Sequence, residues 1–166
     1  MSGKRSAGLL VHRVGESGTE VLLGHMGGPF WSGRTAAAWS IPKGEYGPEE
    51  TPEAAARREF REELGLEPPA GPWAPLGTSR QRGGKTVTVW AVEGDLDPAR
   101  VVPGTFTMEW PRGSGVLRDF PELDRVRWFP LADAVEPLVA GQRVFLDRLD
   151  TFIATGRRPS ATGHEE

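Results

Sequence analysis

Glu59, Glu62 and Glu63 fall at positions i, i+3 and i+4 of the segment RREFREELGL (Arg57–Leu66). Carboxylates at that spacing share one face of a helix, where like charges repel. On a wheel of about 100° per residue, Glu62 and Glu63 flank Glu59 within roughly 60° on either side. Ala55 falls in the same sector one turn earlier, and its small side chain is expected to leave space there. Ala56, Phe60 and Leu64 form a separate apolar stripe, while Arg57 and Arg61 lie opposite the acids. Many acidic faces are simply solvated, and Arg58 is spaced to pair with Glu62 at i, i+4. Yet surface helices usually mix their charges, and here acids and bases are segregated. A hard divalent cation would relieve the repulsion. Mg²⁺ takes oxygen ligands, keeps several waters and is typically held by a few carboxylates plus substrate phosphates.

The helix that carries these acids is well marked. Thr51 suits the N-cap, Pro52 the first helical position and Gly65 the left-handed residue after the last turn. Between them stand Ala, Glu, Arg and Leu, all good helix formers. Before it, AGLLVHRV (Ala7–Val14) and TEVLLGHM (Thr19–Met26) read as a strand pair around the turn GESG. GGPFWSGRTAAAW (Gly27–Trp39) is a long loop of the kind that more often serves function than decoration. WSIPKGE (Trp39–Glu45) is a short extended piece. After the helix, WAPLGTSRQ and KTVTVWAVEGD read as strands around the turn RGG (Arg82–Gly84). GTFTMEW (Gly104–Trp110) and RVRWFPL (Arg125–Leu131) read as two more. Phe145, Leu149, Phe152 and Ile153 follow a helical period closed by Gly156. With no repeat and no break in composition, the expectation is a single α/β (α+β) domain over 7–155. A flexible N-terminus (1–6) and a disordered tail (156–166) flank it.

Composition narrows the function classes. The 166 residues carry 20 Lys+Arg against 23 Asp+Glu, a net charge of −3, which argues against general nucleic-acid binding. There is no cysteine, so disulfides and thiolate metal sites are excluded and a reducing cytoplasm is the simplest home. The apolar run AGLLV is too short for a signal core or a membrane span.

Gly44, five residues, Glu50, seven residues, then Arg58-Glu59-Phe60-Arg61-Glu62-Glu63-Leu64-Gly65-Leu66 resembles the signature of the Nudix hydrolases. Every fixed position is filled, and the mild departure is Phe60, where Ile, Leu or Val is commoner. The resemblance implies an α/β/α sandwich with a mixed central sheet. It also implies Mg²⁺, for which Mn²⁺ can substitute, held against a diphosphate. By position, Glu59 and Glu63 would be the main ligands and Glu62 a further one. The Gly44 carbonyl would be a candidate ligand, and Arg58 would orient a glutamate. Glu50 would brace the loop or contact a metal-bound water. The signature does not fix the general base, which is either Glu59 or a glutamate of a later loop. The later candidate is Glu122 in FPELDRVRWF, whose plainer reading is a surface or capping carboxylate. Family members often form homodimers.

Substrate-side residues are read the same way. Lys43, just before the Gly44 loop, could meet a phosphate as a point charge or be a solvated lysine. Trp-x-x-Pro-Lys-Gly is similar to the matching stretch in Nudix enzymes that cleave nucleoside triphosphates and dinucleoside polyphosphates. Trp31 in GGPFW, beside Phe30 and His25, could stack on a base. Arg82 and Lys85, on a hairpin tip, could grip distal phosphates if that tip overhangs the site. The implied substrate is a nucleoside diphosphate derivative. The alternative is a Nudix-fold module that binds a nucleotide without turnover. A Nudix-fold isomerase ranks low because the chain lacks the cysteine such enzymes use.

Overall fold

The computed structural model describes residues 3–156. The strands are β1 (Arg5–Gly15), β2 (Gly18–Met26), β3 (Trp39–Ser40), β4 (Lys43–Glu45), β5 (Ala74–Arg80) and β6 (Thr86–Glu93). β7 (Thr105–Glu109), β8 (Leu117–Pro121) and β9 (Leu123–Pro130) follow, and the helices are α1 (Pro52–Leu64) and α2 (Val144–Thr155). The expected tail lies, beyond Gly156, outside the described residues. At the other end β1 begins at Arg5, inside the segment expected to be flexible. Arg5 and Ser6 pair with Thr86 and Val87 of β6, and Arg5 stacks over the Tyr46 ring.

The main sheet runs β3-β2-β1-β6-β5, with β4 added to β1 and β9 to β2. β1 and β6 are parallel and the other pairs antiparallel, so the sheet is mixed. Alternation along β1 and β6 sends side chains to two layers. Leu9, Val11 and Val92 pack with Phe60 and Leu64 of α1. Leu10, Val87, Val89 and Ala91 pack with Phe145, Leu146 and Leu149 near α2. β7 and β8 pair only with each other and stand off the main sheet.

α1 forms where its caps predict. Thr51 Oγ1 accepts the Ala54 N–H at 3.2 Å, and Gly65 closes the helix at φ +67°. The opposed bases have structural partners: Arg57 stacks 4.3 Å over Trp73 and Arg61 pairs with Glu67 at 2.9 Å. Ala55 departs from its expected role. It is fully buried against Ala7 and Ala56, so its sector is packed rather than open.

Candidate active site

β4 lies along the first part of β1, with Ala7 opposite Gly44 and Gly8 opposite Lys43. α1 crosses the same strands and brings its acids to β4. Glu63 Oε1 accepts the Lys43 N–H at 3.1 Å, which moors the helix to the strand. Glu59 comes so close to Gly44 that a methyl group there would overlap its carboxylate. Gly44 has no positive φ, so what its missing side chain permits is this approach: a methyl group there would push the Glu59 carboxylate aside.

Arg58 is the hub of the acidic stripe. Its Nε and Nη2 each donate to Glu50 at 2.8 Å, a bidentate pair. Its Nη1 donates to Glu59 at 2.8 Å and to Glu62 at 3.2 Å. The guanidinium holds the Glu50 carboxyl below the ordinary carboxylate range. Burial pushes Glu59 the other way; Arg58 opposes that shift, while Glu62 and Glu122 add to it by repulsion. Glu63 is pushed up to about 8, chiefly by burial, against the pull of Lys43 and with the push of Glu59 and Glu122. These pairings place Glu122 within the electrostatic reach of the helix acids. It sits between β8 and β9, far along the chain.

Glu63 and Glu122 line one cleft of about 290 Å³ with Lys43, Trp31, Met26 and Phe106. Lys43 forms no ion pair within 4.0 Å among the described residues, so its attraction for Glu63 acts at longer range. Among the described residues no three acidic or imidazole side chains converge tightly enough to enclose an ion unaided. Sequence reading missed Phe106, which reaches the cleft from the β7–β8 hairpin and rests against Gly28. Its contacts are all distant in sequence, and the strand pattern of GTFTMEW gave no sign of which surface it meets.

Arg82 and Lys85 are not brought into this cleft. β6 runs beside the start of β1, so the β5–β6 tip lies by Gly3 and Lys4 instead. His25 is a structural residue. It is buried, with Nδ1 bonded to Asp124 at 2.7 Å and Nε2 to the Arg34 carbonyl at 2.6 Å, and so ties down the 27–38 loop.

The sequence matches the family model of the NUDIX domain over residues 4–149. The chain belongs to the Nudix family. That membership places it among the hydrolases that act on diphosphate bonds. The Nudix signature at Gly44–Leu66 is the loop and helix just described, from β4 to the cap of α1. Among solved structures, an Ap4A hydrolase of C. elegans, seen as a binary complex, is 22% identical with a TM-score of 0.62. It covers 92% of this chain and 98% of its own. The NUDIX domain of Shewanella oneidensis NrtR, complexed with ADP ribose, is 18% identical with a TM-score of 0.60, over 93% and 90%. The Nudix hydrolase RenU of M. smegmatis is 26% identical with a TM-score of 0.57, over 96% and 91%. The first two likenesses establish the shared fold. A comparison with curated protein sequences gave no match. No helix among the described residues is long and apolar enough to cross a membrane.

Proposed function

We propose that this Nudix protein is a Mg²⁺-dependent hydrolase of nucleoside polyphosphates, either nucleoside triphosphates or dinucleoside polyphosphates, with Mn²⁺ able to substitute. The observation that carries this reading is the convergence of Glu63, Glu122 and Lys43 on one cleft beside Glu59. The donor set suits a hard cation. Glu59, Glu62, Glu63 and the Gly44 carbonyl offer only oxygen, and Gly44 lacks the side chain that would displace the Glu59 carboxylate. A full protein cage is not needed, because waters and substrate phosphates complete a Mg²⁺ shell.

Glu59 and Glu63 are the principal ligands in this reading and Glu62 a further one. When bound, the ion neutralises phosphate charge and lowers the pKa of a nearby water. Arg58 holds Glu59 and Glu62 in place and is itself braced by Glu50. Lys43 adds a point charge toward the phosphates. Glu122 takes the proton of the attacking water as a new P–O bond forms and the bridging P–O bond breaks. Trp31 offers a flat face to the base. Arg82 and Lys85 take no part.

The test is a panel of nucleoside triphosphates, dinucleoside polyphosphates and ADP-ribose, followed by release of phosphate, pyrophosphate or nucleotide. Turnover of at least one triphosphate or dinucleoside polyphosphate is expected, lost with EDTA and restored by Mg²⁺ or Mn²⁺. Tight nucleotide binding without cleavage of any of them would sink the reading and leave a binding module.

A further inference from the structure

The segment between the 3₁₀ turn at Pro98–Arg100 and β7 passes along the end of α1 and ties it to Glu122 through main-chain hydrogen bonds. The last carbonyls of a helix have no partner within it. Here the Val102 N–H donates to the Leu64 carbonyl at 2.8 Å and the Gly104 N–H to the Glu62 carbonyl at 3.0 Å. The Gly104 carbonyl accepts the Glu122 N–H at 2.7 Å, and the Glu122 carbonyl accepts the Gly27 N–H at 3.0 Å. Three main-chain hydrogen bonds in series thus link the acid-bearing helix, Glu122 and the loop that holds Trp31.

Two members of this ladder are glycines, and neither has the positive φ that usually explains one. A methyl group on Gly104 would sit 2.7 Å from the Glu62 carbonyl oxygen and 3.9 Å from Glu122 Cγ. One on Gly27 would overlap the Pro121 carbonyl oxygen, next to Glu122. Close approach of the ladder is what excludes a side chain at both places.

We propose that Gly27 and Gly104 are positioning residues: the ladder sets the separation between Glu122 and the acids of α1, and so aims Glu122 in the reaction. The inference rests on Glu122 acting as the base. Relieving the Gly104 clash must lift the segment from α1 by several tenths of an ångström, and Glu122 moves with it. Misplacement by about 1 Å can cost on the order of 100-fold in rate.

The test is a double-mutant cycle on the full chain, with far-UV circular dichroism as the check on folding. Gly104→Ala is expected to lower kcat about 10-fold or more while KM changes less than about 3-fold. In a Glu122→Gln background the same substitution should change kcat less than about 2-fold, because there is no base left to misplace. Gly94→Ala is the control. A methyl there would crowd Pro69 Cγ at 2.6 Å, away from the cleft, so any loss should be equal in both backgrounds. An equal loss from Gly104→Ala in both backgrounds would make the ladder merely structural and overturn the inference. Gly27→Ala is read in the same way if Gly104→Ala does not fold. Failure of both to fold would make the ladder a folding requirement and also overturn it. A wild-type protein that cleaves no diphosphate fails the functional reading first. An active wild type whose Glu122→Gln variant keeps full rate removes the base, and the inference with it.

Discussion

Gln142 and Glu63 hold the same stretch of chain from the two helical layers, yet their surroundings differ. Gln142 Oε1 accepts the Ile41 N–H at 2.8 Å and its Nε2 donates to Ser40 Oγ at 3.0 Å. Two residues on, Glu63 Oε1 accepts the Lys43 N–H at 3.1 Å. Its Oε2 has no hydrogen-bond partner among the described residues, and Glu59 and Glu122 repel it. Both ends of the amide are satisfied and nothing is left over for a ligand. The carboxylate is satisfied by half and crowded by its own charge. His25, with both ring nitrogens committed, belongs with Gln142. Buried polar groups are normally paired, because leaving one unpaired costs free energy. Among the described residues the buried side-chain atom left without a partner is Trp39 Nε1, which lies outside the cleft. Glu63 is part-buried and lines the cleft, so what sets it apart from Gln142 is a carboxylate oxygen left over where a ligand can reach it.

The strongest way to break this contrast is to make Glu63 resemble Gln142. Glu63→Gln keeps an acceptor for the Lys43 N–H but removes the charge. Loss of partners that merely support metal ligands costs about 10–100-fold, so removing a ligand should cost more than about 100-fold in kcat. Metal affinity, followed by Mg²⁺ titration, should fall with it. The metal-free variant should fold as well as wild type or better, because a repelled carboxylate is gone. Activity within about 3-fold of wild type would remove Glu63 from the ligand set and leave the contrast without functional meaning.

The converse change is smaller and of another kind. Gln142→Ala strands the buried Ile41 N–H, a penalty of about 1–3 kcal/mol. For a chain of this size that lowers Tm by about 5 °C in thermal unfolding. Per folded molecule, kcat should stay within about 2-fold, because Gln142 touches none of the acids. A large drop in kcat at unchanged Tm would mean that the Trp39–Lys43 stretch transmits strain to the cleft, and that the two pegs are not separable.

How far the sequence foretold this site follows from how local each feature is. Thr51, Pro52 and Gly65 act within one turn of their own helix, and α1 ends where they say. The signature from Gly44 to Leu66 is a single loop and helix, so its spacing carried nearly all the local geometry. The Arg58–Glu50 pair is also local, eight residues apart. Other features depend on partners the sequence does not name. Strand β8 was not foreseen, because LRDFP contains a proline and has little alternation. Phe106 meets Gly28, far away in the chain, through the placement of the β7–β8 hairpin. The sequence placed Arg82 and Lys85 on a hairpin tip, but sheet order decided where that tip went. The same holds for Gly27 and Gly104, whose need for glycine appears only once Pro121 and Glu62 are beside them.

The gentlest probe sharpens the contrast through pH alone, since Gln142 cannot titrate and Glu63 can. Burial raises Glu63 from an ordinary 4.5 to about 8 in the folded protein. Between those values the metal-free folded state holds a proton that the unfolded chain has lost. The resulting stability is fully present below pH 4.5 and is lost as pH rises through about 8, with a slope of at most about 1.4 kcal/mol per pH unit. Glu59, also raised, acts in the same direction. Glu50 is lowered by Arg58, so its contribution is present above its unfolded pKa and disappears only in acid, outside this window. In EDTA, Tm should therefore fall by up to about 10 °C from pH 5.5 to 8.5. If Mg²⁺ binds the deprotonated acids as proposed, the gain in Tm on adding it should grow over the same range. Glu63→Gln should flatten most of the EDTA slope, and Gln142→Ala should shift the curve down without changing its shape. A flat wild-type curve in EDTA would mean that Glu63 is already ionised and compensated without metal, and the half-satisfied carboxylate would then be as structural as the amide.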